Sequence, residues 1–95
     1  MGFGLSGGVI RVTEESKLPK PKEPGVANAR YEYYKKGVLD KVRYTDASGK
    51  PTWDKHYTDH GNSKLHPEVP HYQKWSDGRL QTKKTPVEQV PEYIR

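Results

Sequence analysis

All four histidines of the chain, His56, His60, His66 and His71, fall within sixteen residues, and Asp54 and Asp59 lie among them. Cysteine is absent, which excludes disulfides, thiolate zinc sites and thiol nucleophiles and leaves chemistry to imidazole, carboxylate, Lys, Arg, Tyr and backbone. The cluster has three open readings. Neutral imidazole is the commonest protein ligand for zinc, and His56, His60, His66 and His71 with an Asp are enough for a tetrahedral site. Their gaps of three, five and four residues match no familiar zinc pattern, and Pro67 and Pro70 stiffen the segment. General acid–base chemistry is the second reading: one imidazole takes a proton from a 2′-hydroxyl, another returns one to a leaving 5′-oxygen, and a cation holds the phosphate. On this reading His60 and His71 are the acid–base pair, His66 is a further catalytic candidate, and Asp59 beside His60 orients an imidazole. Arg43, Lys64 and Lys74 are the phosphate-binding candidates, with Lys55 also within the region. No cofactor is then required, zinc being the alternative. The third reading is that these are loop residues, His66 and His71 flanking prolines and Asp59-His60-Gly61-Asn62 forming a tight turn. Ser63 has no nucleophile elbow around it, so serine hydrolysis is set aside.

The elements that must position these residues are short and β-rich. Residues 30–34 (RYEYY), Val38–Thr45 and Pro51–Thr58 are strand-like runs joined by turns at Lys35–Gly37 and Asp46–Lys50, which predicts a three-stranded antiparallel meander. Alternation places Val38, Val42 and Tyr44 on one face of the middle strand and Trp53 and Tyr57 on one face of the next. The opposite face carries Lys41 and Arg43 beside Asp54, His56 and Thr58, a polar surface of both signs on which a site could be built. Asp59–Trp75 reads as a long His/Pro-rich loop, Ser76–Arg79 as a turn, and Thr85-Pro86-Val87-Glu88 as the start of a short C-terminal helix that Pro91 stops. The fold class expected is therefore mostly β, a small α+β domain over 29–95. It follows a flexible Gly-rich start and a Lys/Pro linker over 1–28, in which Val9–Thr13 is a short β-type run.

Only 19 of the 95 residues are Val, Ile, Leu, Met, Phe or Trp, so any core is thin and must be completed by Tyr rings, the His/Pro loop, a partner, a metal or a second copy. No apolar run approaches the roughly 18 residues of a membrane span, and no signal peptide is read at the start. Most of the net charge of +5 lies in the first half, where ten Lys or Arg face six acids, against seven and six in the second. This suits phosphate contact and equally suits solubility.

The stretch Arg43–Trp75, about a third of the chain, resembles a segment of the C-terminal domains of bacterial polymorphic toxins and of short phage and prophage proteins of Gram-positive bacteria. A D-x-x-Y-x-D-H-G stretch is matched by Asp54, Tyr57, Asp59, His60 and Gly61, and an H-P-x-x-P-H-x-H-x-W ending by His66, Pro67, Pro70, His71 and Trp75. Gln73 stands where that ending has its last His. The resemblance implies a ribonuclease-like domain acting through His60, His66 and His71 with Asp59. It implies a location in the bacterial host cytoplasm or a phage particle, and the initial Met favours the short phage-type protein over a toxin tip. The alternative is a non-enzymatic phage or prophage protein, a minor particle component or an inhibitor of a host protein. Tyr31, Tyr33 and Tyr34 would then be partner-binding anchors, since alternate rings of one strand cannot all face inward. The partners expected are RNA or a host or phage protein, with no membrane, and a homo-oligomer is open.

Overall fold

The computed structural model of the protein describes residues 6–57 and 70–95. Alternating apolar and polar residues form β1 (Gly8–Val12), β2 (Ala29–Lys35), β3 (Val38–Thr45), β4 (Pro51–His56), β5 (His71–Ser76) and β6 (Arg79–Leu80). These make one six-stranded mixed sheet in chain order, β1 parallel to β2 and each later pair antiparallel. The turns follow from their residues. Lys36-Gly37 and Asp77-Gly78 both have positive φ at each position, the two-residue geometry whose twist matches that of flanking strands. At Gly49 (φ +79°) a side chain would also strike the Gly25 carbonyl, so this turn packs closely on the chain that precedes β2.

The mostly β expectation holds, and several of its details are corrected. The sheet has six strands where three were expected, and the C-terminal helix is a single 3-10 turn, Val87–Gln89. The segment expected as a flexible start and linker is, over residues 6–28, part of the body. Parallel strands cannot share a tight hairpin, so residues 13–28 cross over the sheet between β1 and β2. On the way Leu18 and Pro19 are buried, and Leu18 packs with Ala29, Tyr31 and Tyr33 beside Ile10 and Val12. The crossover thus covers one face. The tail covers the other, where Val90 and Ile94 pack on Val42, Tyr44, Trp53 and Tyr72. Two irregular segments, each with one 3-10 turn (Glu15–Lys17 and Val87–Gln89), and the five Tyr rings of these two clusters therefore do the work that regular helices do in more apolar chains.

Val38 is 66% exposed, against expectation, and Leu39 packs on the core instead. The pairing steps from Tyr33↔Lys41 to Tyr34↔Leu39, leaving Asp40 as an extra residue that reverses the side-chain alternation. Among the described residues no helix is long and apolar enough to cross a membrane.

Candidate active site

Strand register sets the candidate residues in two parallel rows on the face that the crossover partly covers. One row runs Tyr31, Arg43, Asp54, Gln73 across β2 to β5, and the next runs Tyr33, Lys41, His56, His71. The polar face expected on β3 and β4 is therefore extended by β5, which adds His71 directly opposite His56.

Asp54 anchors the arrangement. It is completely buried, and Arg43 Nε and Nη2 donate to its two carboxylate oxygens at 2.8 Å each. Trp75 Nε1 donates to Oδ1 at 2.8 Å, and His56 Nε2 lies 3.2 Å from Oδ2. Arg43 also donates to the Pro19 carbonyl at 3.1 Å and stacks over the Trp75 ring at 4.8 Å. One buried carboxylate thus ties β3, β4, β5 and the crossover together. Burial pushes its carboxyl up, but the His56 bond, the Arg43 bonds and charge, and the Trp75 bond outweigh that and leave it at about 2. Ionised at neutral pH, Asp54 can only accept, so His56 Nε2 is the donor and a neutral His56 presents its Nδ1 lone pair on the other side of the ring.

The depressed value has a stability consequence. A carboxyl at about 2 in the folded chain and near 3.8 when unfolded contributes in full above the unfolded value, and the contribution is lost as pH falls through about 2. Urea midpoints measured at pH 7, 4 and 2.5 should fall between the last two, and Asp54→Asn should remove that part of the fall. A midpoint flat from pH 4 to pH 2.5 in the parent contradicts the network.

Lys41 Nζ pairs with Glu15 Oε2 at 2.7 Å. Glu15 is held below the usual carboxylate range by that hydrogen bond and charge, with smaller pulls from Arg43 and His56. It sits 60% exposed at the side-chain level, on the crossover. His71 is buried and lines a cleft of about 560 Å³ together with Pro70, Tyr72, Lys84, Thr85, Pro86, Val87 and Glu88.

Of the sequence-derived candidates, His60, His66, Asp59 and Lys64 lie outside the described residues. His71 lies beside His56, and Lys74 is exposed on the opposite face of β5. Arg43, a phosphate candidate, is committed to Asp54 and Pro19 and is buried, because removing an arginine from water demands that its donors be satisfied. Lys55 is likewise buried, over the Tyr57 and Tyr72 rings. Tyr31 and Tyr33, expected as exposed anchors, are buried under the crossover, whereas Tyr34 is half-buried on the other face with its hydroxyl donating to Glu32. Gln73 sits opposite Asp54 and donates to the Gln81 carbonyl at 2.8 Å, fastening the segment after β6. For zinc, only His56 and His71 of the four histidines are described, and among the described residues no three His, Asp or Glu side chains group to hold a metal.

Sequence reading alone missed the roles of Trp75 and Lys41. The alternation in β3 had already put Lys41 on the right face; Trp75 stood out only as the end of the Pro-His segment, and its bond to Asp54, 21 residues away, had no signal in the sequence. Comparison with protein-family models, with curated proteins and with solved structures returns no match.

Proposed function

We propose that the protein cleaves RNA without a metal, by acid–base chemistry on the row formed by Lys41, His56 and His71. The observation that carries this reading is the register pairing of His56 with His71, which sets two imidazoles on neighbouring strands beside an ammonium group. Opposed side chains on adjacent strands stand about 5 Å apart at Cβ, a spacing that lets two rings flank one phosphodiester. His56, its Nε2–H held by Asp54, takes the 2′-hydroxyl proton at Nδ1. The 2′-oxygen attacks phosphorus, the P–O5′ bond breaks, and protonated His71 gives its proton to the departing 5′-oxygen. The products are a 2′,3′-cyclic phosphate and a 5′-hydroxyl, and Lys41 exchanges its exposed partner Glu15 for the non-bridging oxygens, whose charge it balances. Asp54 has here the orienting role that the sequence suggested for Asp59.

The toxin and phage resemblance supports the same reaction class, and His60 and His66 belong to the segment that leaves β4 after His56 and returns to β5 at His71. The alternative of a non-enzymatic phage protein relied on exposed tyrosines. Tyr31 and Tyr33 are buried, and of the three anchors only Tyr34 keeps part of its ring accessible.

Purified protein should cut total RNA in the presence of EDTA with a bell-shaped pH–rate profile, because one imidazole must be neutral and the other protonated. RNA left intact across neutral pH, with EDTA and with added zinc, refutes the reading.

A further inference from the structure

Beyond His71 the cleft continues. A second hollow of about 440 Å³ shares Lys84, Thr85 and Pro86 with the first and is lined further by Lys74, Lys83 and Gln81. Its lining holds three lysines and no carboxylate, although the region from 70 to 95 also contains Asp77, Glu88 and Glu92. The lysines converge because Thr85 bridges to Tyr72, Thr85 N donating to the Tyr72 carbonyl at 2.7 Å, which lays residues 83–85 along the stretch of β5 that β6 does not pair. Gln73 reinforces this through its bond to the Gln81 carbonyl, and Gln81 N donates to the Lys74 carbonyl at 2.9 Å. All three lysines are exposed, and none of them takes part in a salt bridge among the described residues. Three like charges gathered on a hydrogen-bonded edge, none of them in an ion pair among the described residues, complement a polyanion.

We infer that Lys74, Lys83 and Lys84 form a track for the phosphates of a single-stranded RNA, leading into the His71 cleft. The inference rests on the proposed cleavage reading and deepens it by giving the substrate strand a path along β5 that approaches His71 from the tail side of the sheet. A single strand is favoured over a duplex because in-line attack by a 2′-oxygen needs a backbone released from A-form stacking, and because ammonium groups along an edge contact phosphate irrespective of base.

The test uses the full chain and a fluorescein-labelled 2′-O-methyl RNA 12-mer, which binds as RNA does but lacks the attacking hydroxyl. Anisotropy titrations across salt concentrations compare the parent with Lys74→Gln/Lys83→Gln/Lys84→Gln, surface changes that leave the core untouched. Loss of three phosphate contacts should weaken binding about tenfold or more and make log Kd about two units less steep in log salt, from roughly 0.7 per phosphate on single strands. Equal affinity and equal salt slope for the two proteins overturn the track, as does a parent that does not bind the oligonucleotide. Cleavage of unmodified RNA, assayed separately, distinguishes the two claims. A parent that binds through these lysines and does not cleave leaves the track standing and removes the catalytic reading; a parent that cleaves with unchanged lysine-variant binding does the reverse.

Discussion

Asp54→Ala is expected to lower stability by about 3–5 kcal/mol, the cost of removing one partner of a buried ion pair. Arg43 would be left buried beside Trp75 with two donors unsatisfied, and Trp75 Nε1 and His56 Nε2 would lose their acceptor. Small domains have about 5–15 kcal/mol in all, so the variant should be largely unfolded at 37 °C or close to it. Asp54→Asn keeps the shape and one acceptor but leaves the guanidinium without a counter-charge, so it should fall between the parent and Asp54→Ala. Urea unfolding followed by Trp fluorescence measures both. If Asp54→Ala shifts the midpoint no more than an exposed Asp77→Ala does, the carboxylate is not the tie between crossover and sheet that its bonds imply.

His71→Ala and His56→Ala are each expected to slow RNA cleavage by about 10²–10⁴-fold, the range for loss of one positioned proton-transfer group. The double variant should be little slower than either single one, because residues acting on one transition state are not additive. Lys41→Ala should slow cleavage without abolishing the bell shape of the pH–rate profile, since it removes charge stabilisation and no titrating partner. Lys41→Arg, which keeps the charge, should restore part of the rate. Far-UV circular dichroism separates loss of chemistry from loss of fold: Asp54 variants should change both, the histidine variants the rate alone.

Alternation and turn chemistry made the middle of the sheet legible. Lys36-Gly37 and Asp77-Gly78 announce hairpin turns by residue type, and period two in β3 and β4 put Lys41, Arg43, Asp54 and His56 on one polar face. Long-range contacts were not legible. The pairing of β1 with β2 is parallel and separated by a Lys/Pro stretch, and a proline-rich segment reads as extended whether it packs or floats. Leu18 was its single strongly apolar residue, and one side chain carries too little pattern to reveal docking. Val38 failed for a local reason, the extra residue at Asp40. The tail had capping residues for a helix, Thr85, Pro86 and Glu88, but Pro91 leaves room for only one turn, and a second turn, Ile94 N donating to the Pro91 carbonyl, brings Ile94 onto the core with Val90. The site was half visible: its residue types clustered in sequence, while the bonds that make Asp54 its anchor join strands that only the fold brings together.

In the proposed reaction His56 and His71 exchange protons with the two oxygens of one RNA linkage. The measurement that reaches it most directly is product analysis of a 5′-labelled RNA oligonucleotide incubated with the protein in EDTA, beside the same oligonucleotide carrying a 2′-O-methyl group at the cut site. Cleavage of the first alone is expected, with a 2′,3′-cyclic phosphate on the labelled product and a loss of at least about a hundredfold in rate for His71→Ala. An uncut oligonucleotide, cleavage of the methylated strand, or equal cleavage by His71→Ala contradicts it.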